Sequence, residues 1–416
     1  MQQYSSYKPS NVEWLGDIPS HWKIERLKDV CENITSGGTP KTSIDIYWEN
    51  GNIIWVTPTD FQDFENTDYI NNSRTKITSL GLKDCSASIL PIGTIIMQSR
   101  ASIGTVKISS VELCTNQGFI NFTTNHSLNN KFLFYLINVY LGDYYQGTAS
   151  GTTYMEIPRS KAKQEKIPLP PFTEQTAISA YLDQATANID KVIATKRKQL
   201  EKLEQYKQSK IHECVTKGLN PDVSFKPSGI DWIGDVPSHW KVEKIKRRMS
   251  FVYGSALKEE DRIDGEFNVY GSNGIVGTHE LPITEGETII IGRKGTAGAL
   301  NYSYEPCYPI DTAYFIDKNA TELNIRFLFY ALQTLDLDKM NEDSAVPGLS
   351  RENAYQKQLA FPPKTEQKEL AEYLDDFTNK ISLEKNIIEQ QIEKLKQYRK
   401  CLIHECVTGK RKVIND

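Results

Sequence analysis

Two stretches of the chain place apolar residues at alternating spacings of four and three. In the later one these are Ile381, Ile388, Ile392, Leu395 and Leu402, and adding Lys385 and Arg399 completes a strict alternation. That pattern predicts a helix with a heptad seam containing two charged members. The earlier stretch places Ile189, Ile193, Leu200 and Leu203 in the same register, interrupted by Lys196, Lys207 and Lys210. Each stretch opens on Pro-Pro followed by Thr-Glu-Gln, a helix-start signal with Thr as the expected N-cap and Glu in the first turn. Two short, flawed seams suit a pair of helices packing on each other better than a homodimeric zipper. Elsewhere the pattern changes to short β-rich runs bounded by Gly, Pro and Asn, such as GNIIWVTPTDF and ETIIIGRKGTAGALNYSY. Within each β-rich region one apolar segment, Lys131–Tyr140 and Arg326–Leu332, is predicted to be helical.

The chain repeats itself. Residues 8–22, KPSNVEWLGDIPSHW, return as 226–240, KPSGIDWIGDVPSHW, at an offset of 218. Residues 170–183, PPFTEQTAISAYLD, return as 362–375, PPKTEQKELAEYLD, and Ile211–Thr216 returns as Ile403–Thr408, both at an offset of 192. The region after the first motif is therefore 26 residues longer than the region after the second. Two similar frames hold two dissimilar inserts, and the IGTVKI and KGTAGAL turns take corresponding places in them.

Composition adds limits. A chain of 416 residues with a 39% hydrophobic fraction exceeds one core's worth of sequence. No apolar run is long enough to span a bilayer, and Met1–Ser10 carries no signal-peptide core, so a cytoplasmic protein is expected. Seven cysteines without a C-x-x-C pair point to reduced thiols. The net charge of −4 is low for a protein that grips nucleic acid alone. Locally basic stretches exist at Lys241–Arg248 and Lys196–Lys210.

These motifs together resemble type I restriction–modification DNA specificity subunits. The resemblance rests on KPS…W-x-G-x-[IV]-P-x-H-W, the GGTP turn at Gly37–Pro40, SRASIGTV at Ser99–Val106 and TNQGF at Thr115–Phe119. VYGSNGIVG at Val269–Gly277, IIIGRKGTAG at Ile289–Gly298 and the two P-P-x-x-E-Q helix starts add to it. It covers nearly the whole chain. It implies an α+β fold: two mixed α/β target-recognition domains joined by two long helices that form an antiparallel coiled coil, with a pseudo-two-fold internal repeat. The division implied is 1–170, recognition domain one; 171–218, central helical region; 219–361, recognition domain two; 362–416, C-terminal helical region. It further implies binding of double-stranded DNA at an asymmetric bipartite site, one half per domain. Two modification (methyltransferase) subunits and, in the full complex, two restriction subunits would be partners. S-adenosylmethionine, ATP and Mg would be bound by those partners and no cofactor by this chain. A helix of about 30 residues is about 45 Å long, against about 34–36 Å for one turn of B-DNA, so the pair could act as a ruler. An orphan subunit guiding methylation only, or a helical adaptor without sequence readout, are the alternatives.

Catalytic motifs are missing. There is no N/D-P-P-Y/F motif with a glycine-rich cofactor loop, and Gly292–Gly298 lacks the Lys-Ser/Thr of a P-loop. Pro309, Asp311, Asp317 and Lys318 fail the spacing of a nuclease motif. His212/Cys214 and His404/Cys406 read as local packing or partner contacts rather than zinc ligands. Trp14, Trp22, Trp232 and Trp240, duplicated between the halves, read as packing rather than base stacking. Bases are read by Arg, Lys, Asn and Gln in the grooves. The candidates on the insert loops are Thr39, Lys41, Gln98, Arg100, Asn116 and Gln117 in the first domain. In the second they are Ser272, Asn273, Arg293, Lys294 and Arg351. Arg100 and Arg293 are expected at similar places, which favours phosphate contact. The loops Thr148–Thr153 and Ser344–Ser350 are expected to touch a backbone or a partner.

Overall fold

The computed structural model describes residues 3–65, 67–100, 102–141, 156–340 and 348–413. The expected contacts of loop 148–153, and of 344–347, lie outside the described residues. The chain divides into two compact units: 1–195 with 391–416, and 196–390. Both long helices, Phe172–Lys217 and Lys364–Val407, contribute to both units.

The first unit is built on a five-stranded sheet in the order Cys31–Ser36, Phe119–Thr124, Ile95–Gln98, Val106–Ser109, Tyr69–Ile70. A three-stranded sheet, Cys114–Thr115, Ile53–Val56, Lys76–Ile77, stands beside it. In the second unit a four-stranded sheet runs Val252–Tyr253, Ala313–Ile316, Thr288–Gly292, Leu300–Ser303. A three-stranded sheet, Gly274–His279, Phe267–Gly271, Tyr308–Pro309, accompanies it. Ile95–Gln98 and Thr288–Gly292 are buried on both faces, which is why they read as unbroken apolar runs rather than alternating ones. Ile96 and Ile290 pack towards the three-stranded sheets of their units. In the second unit Ile289 and Ile291 face the opposite way, into the core that includes Phe327, Leu328 and Leu332.

The helices predicted from apolar content are Asn130–Leu136, continued by a π-helical turn, and Ile325–Gln333. Asn129 caps the first by accepting from Phe132 N, and Asn324 caps the second by accepting from Phe327 N. Each is tied to a long helix through one aspartate. Asp183 takes Lys131 and the Tyr135 hydroxyl (2.8 Å); Asp375 takes Arg326 Nε (2.5 Å) and the Tyr330 hydroxyl (2.6 Å).

The long helices pack on each other within each unit, running in opposite directions. In the first unit Arg399 Nε donates to Asp190 Oδ1 at 3.0 Å and Arg411 reaches the Tyr181 hydroxyl. In the second, Lys385 Nζ donates to Glu204 Oε2 at 2.8 Å, and Tyr206 packs on Phe377 with ring centroids 5.4 Å apart. Of the apolar residues in the predicted seams, Ile189, Ile193, Ile381, Ile388, Ile392 and Leu402 are buried, and Leu200, Leu203 and Leu395 half-buried. The two charged members of the later seam are thus the residues that pair across it. Thr173 and Thr365 are not N-caps. The first helix begins at Phe172 with Pro171 O accepting from Glu174 N and Gln175 N, and the second at Lys364 with Pro363 O accepting from Gln367 N.

The repeated motifs meet at the helix ends. Gln175 and Gln367 are buried and clamp the chain just before the helices Asn130–Leu136 and Ile325–Gln333, accepting from Asn129 N and Asn324 N at 2.8 and 2.9 Å. Glu174 holds His21 and Tyr4; Glu366 holds His239 and Trp240 Nε1. Trp22 and Trp240 are fully buried, as the packing reading requires. His212 sits against the Trp232 carbonyl at 3.0 Å, and Cys214 lies in the core of the second unit.

Burial also grades the thiols. It pushes Cys31, Cys114 and Cys406 up to about 12 and Cys214 to about 11, whereas Cys401 is exposed and Cys85 half-buried. Brief alkylation of the native protein at pH 8, read by mass spectrometry, is expected to label Cys401 and Cys85 first and Cys31, Cys114, Cys214, Cys307 and Cys406 only on unfolding. Early labelling of the second group would show that these cores are open.

Candidate nucleic-acid interface

In the first unit the GGTP turn lies directly on the TNQG turn. A β-carbon at Gly37 would stand 1.8 Å from the Thr115 carbonyl oxygen, so only glycine permits the approach. Gly38 N donates to that same oxygen at 3.0 Å, and Trp55 Nε1 donates to Gly38 O at 2.9 Å. The contact brings Thr39 and Gln117 together, with Thr39 Oγ1 donating to Gln117 Oε1 at 2.5 Å; both residues are exposed. Asn116 turns inwards, its Oδ1 accepting from Gly118 N at 2.9 Å, a turn-stabilising role. Lys41 is exposed, with its backbone N–H on Asp84. Gln98 ends the central strand and is only 4% exposed, so its side chain is not presented at the rim. Arg100 is exposed but ion-paired to Glu156 at 3.0 Å.

The second unit has the same crossing. A β-carbon at Gly254 would stand 2.1 Å from the Ile310 carbonyl oxygen, and Ser255 N donates to Pro309 O at 3.0 Å. Ser272 and Asn273 form the tip of the hairpin between Phe267–Gly271 and Gly274–His279. Arg293 donates through Nε and Nη2 to the Asp311 carbonyl at 2.9 and 2.6 Å, and its guanidinium lies 5.4 Å from the Tyr253 ring centroid. Arg351 approaches the same ring at 4.9 Å. Lys294 is exposed and bridges to Gly348. Arg293, Arg351 and Tyr253 therefore gather at one place, with Lys294 next to Arg293 in the chain.

Backbone pairing corrects one sequence expectation. Ser99 N donates to Gly118 O and Ser99 O accepts from Ile157 N; Arg293 N donates to Thr312 O and Arg293 O accepts from Leu349 N. Arg100 bridges Glu156 as Lys294 bridges Gly348. The counterpart of Arg293 is thus Ser99, and that of Arg100 is Lys294. Sequence comparison aligned the two arginines one residue out of step, and in extended chain one residue moves a side chain to the other face. The IGTVKI and KGTAGAL turns do correspond: Gly104 N donates to Gln98 O as Gly298 N donates to Gly292 O.

Sequence reasoning missed Tyr253 and Gly254, and weighed Asp311 only within a failed nuclease motif. The available signal was Gly254, which follows the KVEK strand much as Gly37 follows KIER.

A family model described as the type I restriction modification DNA specificity domain matches residues 19–204 and 237–394. The chain belongs to this family. Among curated proteins it is 37% identical over 192 residues to the type I restriction enzyme MjaIX specificity subunit of Methanocaldococcus jannaschii. That match covers 46% of this chain and 43% of the relative. It is 26% identical over 443 residues to the putative MjaX specificity subunit of the same organism, with 98% of each chain covered. The fold is shared with a chain from a structural study of complex assembly and conformational transition in a type I R-M system, at 16% identity, TM-score 0.73, and 94% and 98% coverage. The HsdS subunit from Thermoanaerobacter tengcongensis gives 16% identity, a TM-score of 0.53, and 95% and 98% coverage. As a type I specificity subunit the chain serves DNA recognition in a restriction system and is non-catalytic, catalysis residing in other subunits. Among the described residues no helix is long and apolar enough to cross a membrane.

Proposed function

We propose that this chain binds an asymmetric, two-part site in double-stranded DNA, one half with each unit, and directs adenine methylation and restriction there by partner subunits. The observation that supports this most is the pair of matching strand crossings, at Gly37 and Gly254, whose neighbouring side chains differ. A common frame with different side chains suits two readers of different sequences. Segments 1–170 and 219–361 would hold the readers, and 171–218 and 362–416 an antiparallel coiled coil, the whole a pseudo-two-fold repeat. Two modification subunits, and two restriction subunits in the full complex, would supply S-adenosylmethionine, ATP and Mg chemistry, with no cofactor on this chain. The net charge of −4 fits partners that supply part of the positive field DNA requires.

Single-molecule sequencing of genomic DNA from cells expressing the chain with its cognate modification subunit tests the reading. The expected result is a new methylated motif of two unlike halves around an unspecified gap; a soluble complex that yields none overturns it. A second expectation concerns the gap. Seven-residue insertions at matched points in both long helices, one after Thr195 and one after Gln390, keep the heptad register and add about 10 Å. The motif is expected to keep both halves and change its spacer. An unchanged spacer with both halves intact would remove the helices from that role.

A further inference from the structure

We infer that Arg293 reads a guanine in the half-site bound by the second unit, and that Tyr253 positions it. This deepens the proposed function and rests on it.

The inference starts from the corrected correspondence. Counting from the crossing glycines, Tyr253 precedes Gly254 as Ser36 precedes Gly37. Arg293 stands where the first unit has Ser99, and Arg351 where it has Arg159, two residues on from Leu349 and Ile157. Phosphates are the same in every sequence, so a residue that only holds the backbone has no reason to differ between two matching frames. Arg159 and Arg351, alike in both, fit such a role. Tyr253 and Arg293 replace two serines, and both belong to the second unit alone. That is the behaviour of side chains that discriminate.

The geometry selects the base. Arginine has five N–H donors in a rigid fork. The side edge of Arg293, Nε with one Nη2 hydrogen, is occupied by the Asp311 carbonyl. Among the described residues nothing takes the end edge, Nη1 with the other Nη2 hydrogen, which can make two parallel donations. In the major groove guanine offers two acceptors side by side, O6 and N7; adenine pairs an acceptor with a donor, and thymine offers one acceptor. Only guanine matches both donors. Tyr253 holds the guanidinium face by cation–π attraction, and Tyr253 is itself held edge-on by Tyr314, with centroids 5.0 Å apart at 62°. Tyr314 is buried and its hydroxyl donates to Leu349 O at 3.3 Å, so the platform is anchored to the core. Among the described residues the anchors of Arg293 are a carbonyl and a ring, both neutral.

The test uses the purified complex of the full chain with its modification subunit and duplexes carrying its methylated motif. Each guanine of the second half is replaced in turn by 7-deazaguanine, which lacks the N7 acceptor. At one guanine the wild-type complex is expected to lose about 5-fold or more in affinity. The Arg293→Lys complex keeps the charge but not the fork; it should bind the natural duplex more weakly and be indifferent to that replacement. Tyr253→Phe retains the ring and should behave as wild type, whereas Tyr253→Ala should resemble Arg293→Lys. A second half-site without guanine, or an equal 7-deazaguanine penalty in wild type and Arg293→Lys, overturns the inference and leaves the proposed function standing. A complex with no two-part motif overturns the proposed function and this inference with it.

Discussion

Trp240→Ala is expected to destabilise the second unit by about 3–5 kcal/mol, the range for removing a fully buried large aromatic. The indole is 0% exposed and belongs to the core that contains Ile211, Cys214, Val215, Leu370 and Leu374, so it lies where the end of one long helix and the start of the other converge. A β-carbon at Gly218 would stand 3.2 Å from Trp240 Cζ2, which shows how closely the helix terminus is laid on the ring. The indole also donates to Glu366 Oε2 at 3.1 Å, in the first turn of the helix Lys364–Val407. Removing it leaves a cavity and one carboxylate hydrogen bond unmade. Denaturant unfolding followed by hydrogen exchange is the measurement. The midpoint for the second unit should fall, and protection should drop in 211–217 and 364–374 ahead of the rest. Trp240→Phe, which fills most of the volume and loses only the hydrogen bond, should cost less. Near-native stability of Trp240→Ala would mean that the repeated motif is not a structural pin.

Gly37→Ala should cost roughly 1–3 kcal/mol or more, the range for overpacking at a site that cannot relax. The added carbon would stand 1.8 Å from Thr115 O and 2.4 Å from Asn116 O, both backbone atoms of a turn that cannot swing aside as a flexible side chain could. The two turns must separate, breaking the Gly38 N to Thr115 O bond and parting Thr39 from Gln117. Discrimination among duplexes altered in the first half-site should fall, while discrimination in the second half should be retained. Gly254→Ala, at 2.1 Å from Ile310 O, should produce the mirror result. Wild-type melting together with wild-type discrimination in Gly37→Ala would remove the crossing from any role in reading.

Much of the frame was legible in the sequence because it is written twice. The heptads located both long helices, but only about 30 residues of each. The helices run to 46 and 44 residues because they extend N-terminally of the seam, where Ile178, Leu182, Leu370 and Leu374 are buried, the last two in the core of the second unit. Lys385 and Arg399 looked like flaws, since their partners Glu204 and Asp190 lie on the other helix, far away in sequence. Gln175 and Gln367 could not be distinguished from solvated first-turn residues, because what they clamp is a backbone amide dozens of residues upstream. The rims were harder. Loop position made Gln98 look available when the sheet buries it. Nothing near Tyr253 in the sequence marks it, because its significance comes from two arginines that the chain delivers from positions 293 and 351.

The first unit is discontinuous: residues 391–413 complete what 3–195 begin. Gly409 closes on Pro19 and Trp22, and Lys410 reaches the Asp17 carbonyl. The second unit, 196–390, is one uninterrupted segment. On the ribosome that segment has all its parts before the first unit has received its last piece. The usual order, in which the region made first is complete first, is thereby reversed. Until Gly409 and Lys410 have been made, the earlier half lacks the segment that closes on Pro19, Trp22 and Asp17.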